Sequence, residues 1–128
     1  MRLNELVEDG DHIFCLQGEI DLHYSPVLRS LCQSKIKARC PVLILDLSGV
    51  DYIDSTGLAV VMEYFRDTAE YGGILCLTGL NEKLKTIFEI VGLDKTIPIF
   101  ASTAAAKVAL KEGSVPSARD ALSNRSAV

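Results

Sequence analysis

The run Val42-Leu43-Ile44-Leu45-Asp46-Leu47 constrains this fold more than any other stretch of the chain. It is apolar at successive positions with no period-two alternation, so as a strand it would be greasy on both faces. Such a strand belongs at the centre of a sheet covered by helices on each side. The run is far too short to cross a bilayer, and Asp46 interrupts it. A chain of 128 residues has room for one domain, whose core can bury roughly two-thirds of the unfolded surface.

The flanking segments fit that picture. Leu3 to Glu8 and His12 to Gln17 surround Asp9-Gly10-Asp11, a hairpin signal. Ser25 and Pro26 supply an N-cap and a first-turn proline. Val27, Leu28, Leu31, Cys32 and Ile36 then recur at helical spacing, and Pro41 stops the segment. After the central strand a second helix opens near Asp54-Ser55-Thr56-Gly57. Leu58, Val61, Met62, Phe65 and Ala69 form its apolar face, and Gly72-Gly73 ends it. Ile74 to Leu77 is the next strand, and Asn81 caps a third helix with Leu84, Ile87, Phe88 and Val91 inward. Pro98 confines Thr96 to Phe100 to a sheet edge. A fourth helix runs from Ser102 or Thr103 to about Lys111. From Gly113 the periodicity is lost, so residues 1–112 are expected to form the domain and 113–128 a flexible tail. The expected fold is a small α/β domain with a four- to five-stranded mixed sheet. Its N-terminal hairpin is antiparallel, the rest is largely parallel, and about four helices cover it.

Several function classes are disfavoured. The net charge is −4 and the basic residues are scattered, so no stripe exists to neutralise nucleic-acid phosphates. Cys15, Cys32, Cys40 and Cys76 form no C-x-x-C pair, and only His12 and His23 could join them, so neither a metal site nor a cofactor is expected. Each cysteine sits in an apolar pattern, as a core residue of a reducing compartment, most simply the cytosol. Neither a signal peptide nor a membrane-inserting segment is expected. No P-loop or dinucleotide fingerprint occurs. Ser55 is not in a nucleophile elbow, since Ile53 stands where that motif needs glycine; an enzyme, such as a Ser55–His23–Asp21 hydrolase, is therefore not expected.

The chemistry-bearing candidate is Asp54-Ser55-Thr56-Gly57-Leu58, at the entry to the second helix. A hydroxyl or carboxylate there can act as an N-cap. Ser55 can equally be a phosphoacceptor, which would add about two negative charges beside Asp51 and Asp54. At 100° per residue, Val60, Tyr64 and Tyr71 fall opposite Leu58, Phe65 and Ala69 and share that side with Glu63 and Asp67. This outward stripe is expected to dock a protein partner through aromatic anchors in a charged rim.

The segment Leu47-Ser48-Gly49-Val50-Asp51-Tyr52-Ile53-Asp54-Ser55-Thr56-Gly57-Leu58 resembles the signature of bacterial anti-sigma factor antagonists, the stand-alone STAS domains. Gly18-Glu19-Ile20-Asp21 and Leu93 after the Phe88-x-x-x-Gly92 pattern support the resemblance, which covers about residues 3–112. It implies phosphorylation at Ser55, with Asp21 and Asp54 as the acidic neighbours; Thr56 stands where many members carry a second serine. It implies, too, an ATP-dependent anti-sigma factor serine kinase as partner. The unphosphorylated domain would bind that kinase and free a sigma factor, phosphorylation of Ser55 would end the complex, and a phosphoserine phosphatase would reset it. An alternative with the same fold is a non-phosphorylated accessory subunit of a membrane transporter or lipid-transport ATPase, using the stripe as a permanent interface.

Overall fold

The computed structural model describes residues 2–126, with side chains described as far as residue 123. The chain runs β1 (Arg2–Glu8), β2 (Asp11–Ile20), α1 (Ser25–Lys37), β3 (Val42–Ile53), α2 (Ser55–Ala69) and β4 (Ile74–Thr78). It continues through α3 (Glu82–Ile90), a 3-10 turn (Leu93–Lys95), β5 (Ile99–Phe100), α4 (Thr103–Lys111) and α5 (Ala118–Ser126). The five strands lie in chain order in one mixed sheet. β1 and β2 are antiparallel, and β2, β3, β4 and β5 are parallel, as the sequence pattern predicts.

The hairpin is a two-residue turn in which Asp9 (φ 54°) and Gly10 (φ 82°) are both left-handed. That is the turn whose twist matches flanking antiparallel strands, and Asp-Gly is among its preferred sequences. Leu43, Leu45 and Leu47 point to one face of β3 while Ile44 points to the other, and each is at most 1% exposed. The doubly buried central strand is therefore observed. On the larger face, Phe14, Leu16, Leu75 and Leu77 join those leucines beneath α1, α2 and α3. On the smaller face, Ile13, Ile44 and Cys76 pack against Ala106 of α4.

The local signals differ from expectation at several places. Val91, expected on the inward side of the third helix, is its C-cap and 47% exposed. Ser25 is the first residue of α1 rather than its cap, because the turn before it closes through Asp21, whose carbonyl accepts the Ser25 amide at 2.8 Å. The tail expected to be flexible from Gly113 is instead packed over most of its described length. Val115 (8% exposed) seals the smaller face and Ala118 (1%) the larger one, and α5 lies along α2. Arg119 Nε donates to the Ala69 carbonyl at 3.1 Å and its Nη2 to that of Glu70 at 2.5 Å, satisfying acceptors that the end of α2 leaves open. These are single tertiary contacts without helical periodicity, so no pattern announces them. Residues 127–128 of that expected tail lie outside the described residues.

The cysteines are core residues as expected: Cys32, Cys40 and Cys76 are buried and Cys15 is half-buried, all as free thiols. Burial pushes the Cys32 and Cys76 thiols up to about 12, so both stay protonated and unreactive at neutral pH.

Candidate functional site

β3 ends at Ile53, and Asp54 stays extended (φ −98°, ψ −176°) before α2 begins. Its carboxylate organises the junction. Oδ1 accepts from the Thr56 amide at 2.9 Å, the Gly57 amide at 3.1 Å and the Thr56 hydroxyl. Oδ2 accepts from the Leu22 amide at 3.1 Å, tying in the loop between β2 and α1. The Thr56 hydroxyl, with help from the Gly57, Thr56 and Leu22 amides, holds the Asp54 carboxyl below its usual pKa against the opposing effect of desolvation. Asp21 does the matching work on the neighbouring loop, where its Oδ1 accepts from the His23 amide at 3.0 Å and the Tyr24 amide at 3.1 Å. Ser25 Oγ donates to the Asp21 carbonyl at 2.7 Å and lies 2.9 Å from Thr56 Oγ1, so the starts of α1 and α2 meet.

This geometry resolves which residue caps the helix. Asp54 is the N-cap, and Ser55 is the exposed first residue of α2 with no hydrogen bond to its side chain among the described residues. Thr56 is half-buried with its hydroxyl turned to Asp54, and Asp51 is exposed near the end of β3. Gly57 of α2 is buried against the ends of β2 and β3: a Cβ there would meet Ile20 Cγ2 and Ile53 Cγ1 at 2.7 Å and the Ile20 carbonyl at 2.9 Å. Asp21, Asp54, Ser55, Thr56 and Gly57 thus lie together at one end of the sheet. Asp21 receives only backbone amides and a hydroxyl-linked turn, and His23 contributes its amide, so no Ser55–His23–Asp21 relay is assembled among the described residues.

The expected docking stripe is overturned. Val60 and Tyr64 are each 1% exposed, because α1 lies beside α2 on the same face of the sheet and covers them. Glu63 is half-buried and ion-paired with Arg29 of α1 at 3.1 Å. Asp67 lies between the same helices; burial raises its carboxyl above the usual range, and Glu63 and Glu70 add to that. Tyr71 is half-buried, donating its hydroxyl to the Cys40 carbonyl at 2.9 Å beneath the Arg39 guanidinium. The wheel allowed α2 one covered side, whereas it has two: Val61 and Phe65 meet the sheet, and Val60 and Tyr64 meet a neighbouring helix.

The side of α2 that does face solvent carries Ser55, Ala59, Met62 and Arg66. Met62, expected inward, is 38% exposed, and Leu22 beside the Asp54 carboxylate is 71% exposed. The signal for Met62 is present in the sequence: seven residues make two turns, which returns it to the side of Ser55.

Tyr64 yields a prediction of its own. Its hydroxyl is fully enclosed near Tyr71 and Cys40 without reaching good hydrogen-bond geometry with either, and burial drives its pKa up. An enclosed hydroxyl without a partner costs roughly 1–3 kcal/mol, while the ring packs as well without it. Tyr64→Phe is therefore expected to raise stability by about 1 kcal/mol, read as a higher urea midpoint at unchanged m-value. A lower midpoint would show that the hydroxyl is satisfied.

With this geometry in place, the likeness to known proteins is specific. The STAS domain family model matches residues 4–106, and the chain belongs to that family. The anti-sigma-B factor antagonist of Listeria monocytogenes is 37% identical over 92 residues, which span 71% of this chain and 81% of that protein. The fold is also that of SpoIIAA in its unphosphorylated form, at a TM-score of 0.70 and 17% identity, covering 88% of this chain and 99% of the other. The phosphorylated form of that Bacillus protein superposes with a TM-score of 0.67 at 18% identity, covering 83% and 97% of the two chains. The segment carrying α5 lies beyond the residues that match the family. Among the described residues, no helix is long and apolar enough to cross a membrane.

Proposed function

We propose that this chain is a cytosolic anti-sigma factor antagonist whose binding is switched by phosphorylation of Ser55. Its partner is an anti-sigma factor that is itself an ATP-dependent serine kinase, and a phosphoserine phosphatase restores the binding form. The observation that carries this reading is the exposed Ser55 hydroxyl beside an N-cap whose amides are already taken by Asp54. A kinase can reach that oxygen, whereas the Thr56 hydroxyl is engaged with Asp54. The relative named an anti-sigma-B factor antagonist supports the partner class, and SpoIIAA, known in phosphorylated and unphosphorylated forms, supports the switch.

The local chemistry suggests how the switch works. A phosphoryl group on Ser55 finds the Thr56 and Gly57 amides occupied, so it stays at the surface instead of being drawn into the helix start. No Lys or Arg pairs with Asp21 or Asp54 among the described residues, so its charge adds to theirs. Docking through Ser55, Ala59, Met62 and Leu22 is then opposed by charge and desolvation at the contact itself, with no rearrangement of the fold. The test is incubation of the purified chain with its captured kinase and Mg-ATP. One phosphate on the Ser55 peptide is expected by mass spectrometry, and none on Ser55→Ala; stoichiometric phosphate on Ser55→Ala would overturn the assignment.

A further inference from the structure

The two edges of the sheet are managed in opposite ways. β5 is only two residues long, follows Pro98, and lies beside α4. Short strands and prolines are devices that discourage pairing with another chain. β1 has none of them. It is seven residues long, its outer side has no neighbouring strand among the described residues, and neither Pro nor Lys occurs in it. Leu6 is 47% and Val7 59% exposed.

We propose that β1 is the self-association surface of this protein, pairing antiparallel with β1 of a second copy to join two sheets into one. The sequence of the strand is complementary to itself in one register. An antiparallel pair related by a two-fold axis must place residues of the same sheet face opposite each other, so it is centred on a residue. Centring on Glu5, the middle of Arg2–Glu8, pairs every residue of the strand. Arg2 then faces Glu8, Leu3 faces Val7 and Asn4 faces Leu6, each twice. The Arg2 side chain has no ion pair or hydrogen bond within its own chain among the described residues. Glu8 pairs with Lys107 at 3.1 Å, and Asp9 lies 3.9 Å from the same ammonium, so Lys107 keeps a carboxylate if Glu8 turns to Arg2. Glu5 meets its own copy on the axis, but each is neutralised by an ion pair to Lys35 of α1. Because each copy offers one long open edge, the contact closes at two copies. This inference does not depend on the phosphorylation reading.

A single strand pair buries much less than the roughly 1,600 Å² of a standard stable interface, so the dimer is expected to be weak and concentration-dependent. Sedimentation equilibrium at low salt, from about 10 µM to about 1 mM, should show the mass rise from 13.9 kDa toward twice that value. Arg2→Glu and Glu8→Arg each replace two attractive pairs with two repulsive ones, and each should weaken association by about tenfold or more. Mixing these two variants restores both pairs and should restore the dimer, as should the double exchange in one chain. Wild type that stays at one chain mass throughout would overturn the proposal. So would association that neither single exchange weakens, since another surface or occupant would then be responsible.

Discussion

Ser55→Asp is expected to weaken capture of the anti-sigma kinase by about two orders of magnitude, while Ser55→Ala stays within a few-fold of wild type. A unit charge about 5 Å from a like charge at an effective dielectric near 20 costs roughly 3 kcal/mol, which is about a hundredfold in affinity. The side chain is exposed in the free domain, so the cost arises only when a partner removes water from it. Among the described residues no cation pairs with the neighbouring Asp54 carboxylate, which is of the same sign, and the amides at the start of α2 are committed. A phosphate carries about twice the charge and should act more strongly than Asp. Calorimetry with the purified partner, or recovery on Ser55→Ala and Ser55→Asp baits, reads the difference. Equal recovery on wild type and both variants would remove the charge switch.

The surface proposed to receive that partner was the least legible part of the molecule. The strand Val42 to Leu47, the Asp9-Gly10 turn and the Asn81 cap act over a few neighbouring residues, and the sequence states them openly. Asn81 indeed accepts from the Leu84 amide at 2.8 Å. The cluster around Asp54 was legible for the same reason, since an N-cap acts over three residues. Val60 and Tyr64 required knowing that α1 is laid beside α2, a fact of tertiary order that one helix's periodicity does not contain. The placement of α5 failed likewise: Arg119 reaches back about fifty residues to the end of α2, and its own helix is mostly polar. Tyr64 is instructive because a solvated position and one facing a second helix look alike on a wheel that assumes a single buried side.

Gly57→Ala is expected to damage the domain markedly. Replacing glycine by alanine inside a helix ordinarily stabilises by roughly 1 kcal/mol, because alanine loses less backbone freedom. Here the added Cβ would lie 2.7 Å from side-chain atoms of both Ile20 and Ile53 and 2.9 Å from the Ile20 carbonyl. Ile20 and Ile53 are themselves at most 1% exposed and paired across β2 and β3, and the carbonyl accepts the Asp54 amide at 3.0 Å. Side-chain rotation cannot relieve the contact with a backbone oxygen, so α2 must lift away from the strand ends. Overpacking of this kind costs about 1–3 kcal/mol, and the rigid neighbours place it at the upper end. The expected result is a melting temperature lower by roughly 10 °C, the opposite sign to a helix-propensity effect. Lifting α2 also strains the Asp54 cap and shifts Ser55, so Gly57→Ala should lose partner affinity even at temperatures where it is folded. A Gly57→Ala domain that melts at or above the wild-type temperature would show that α2 has room to move. The junction would then be too soft to hold Ser55 in one place.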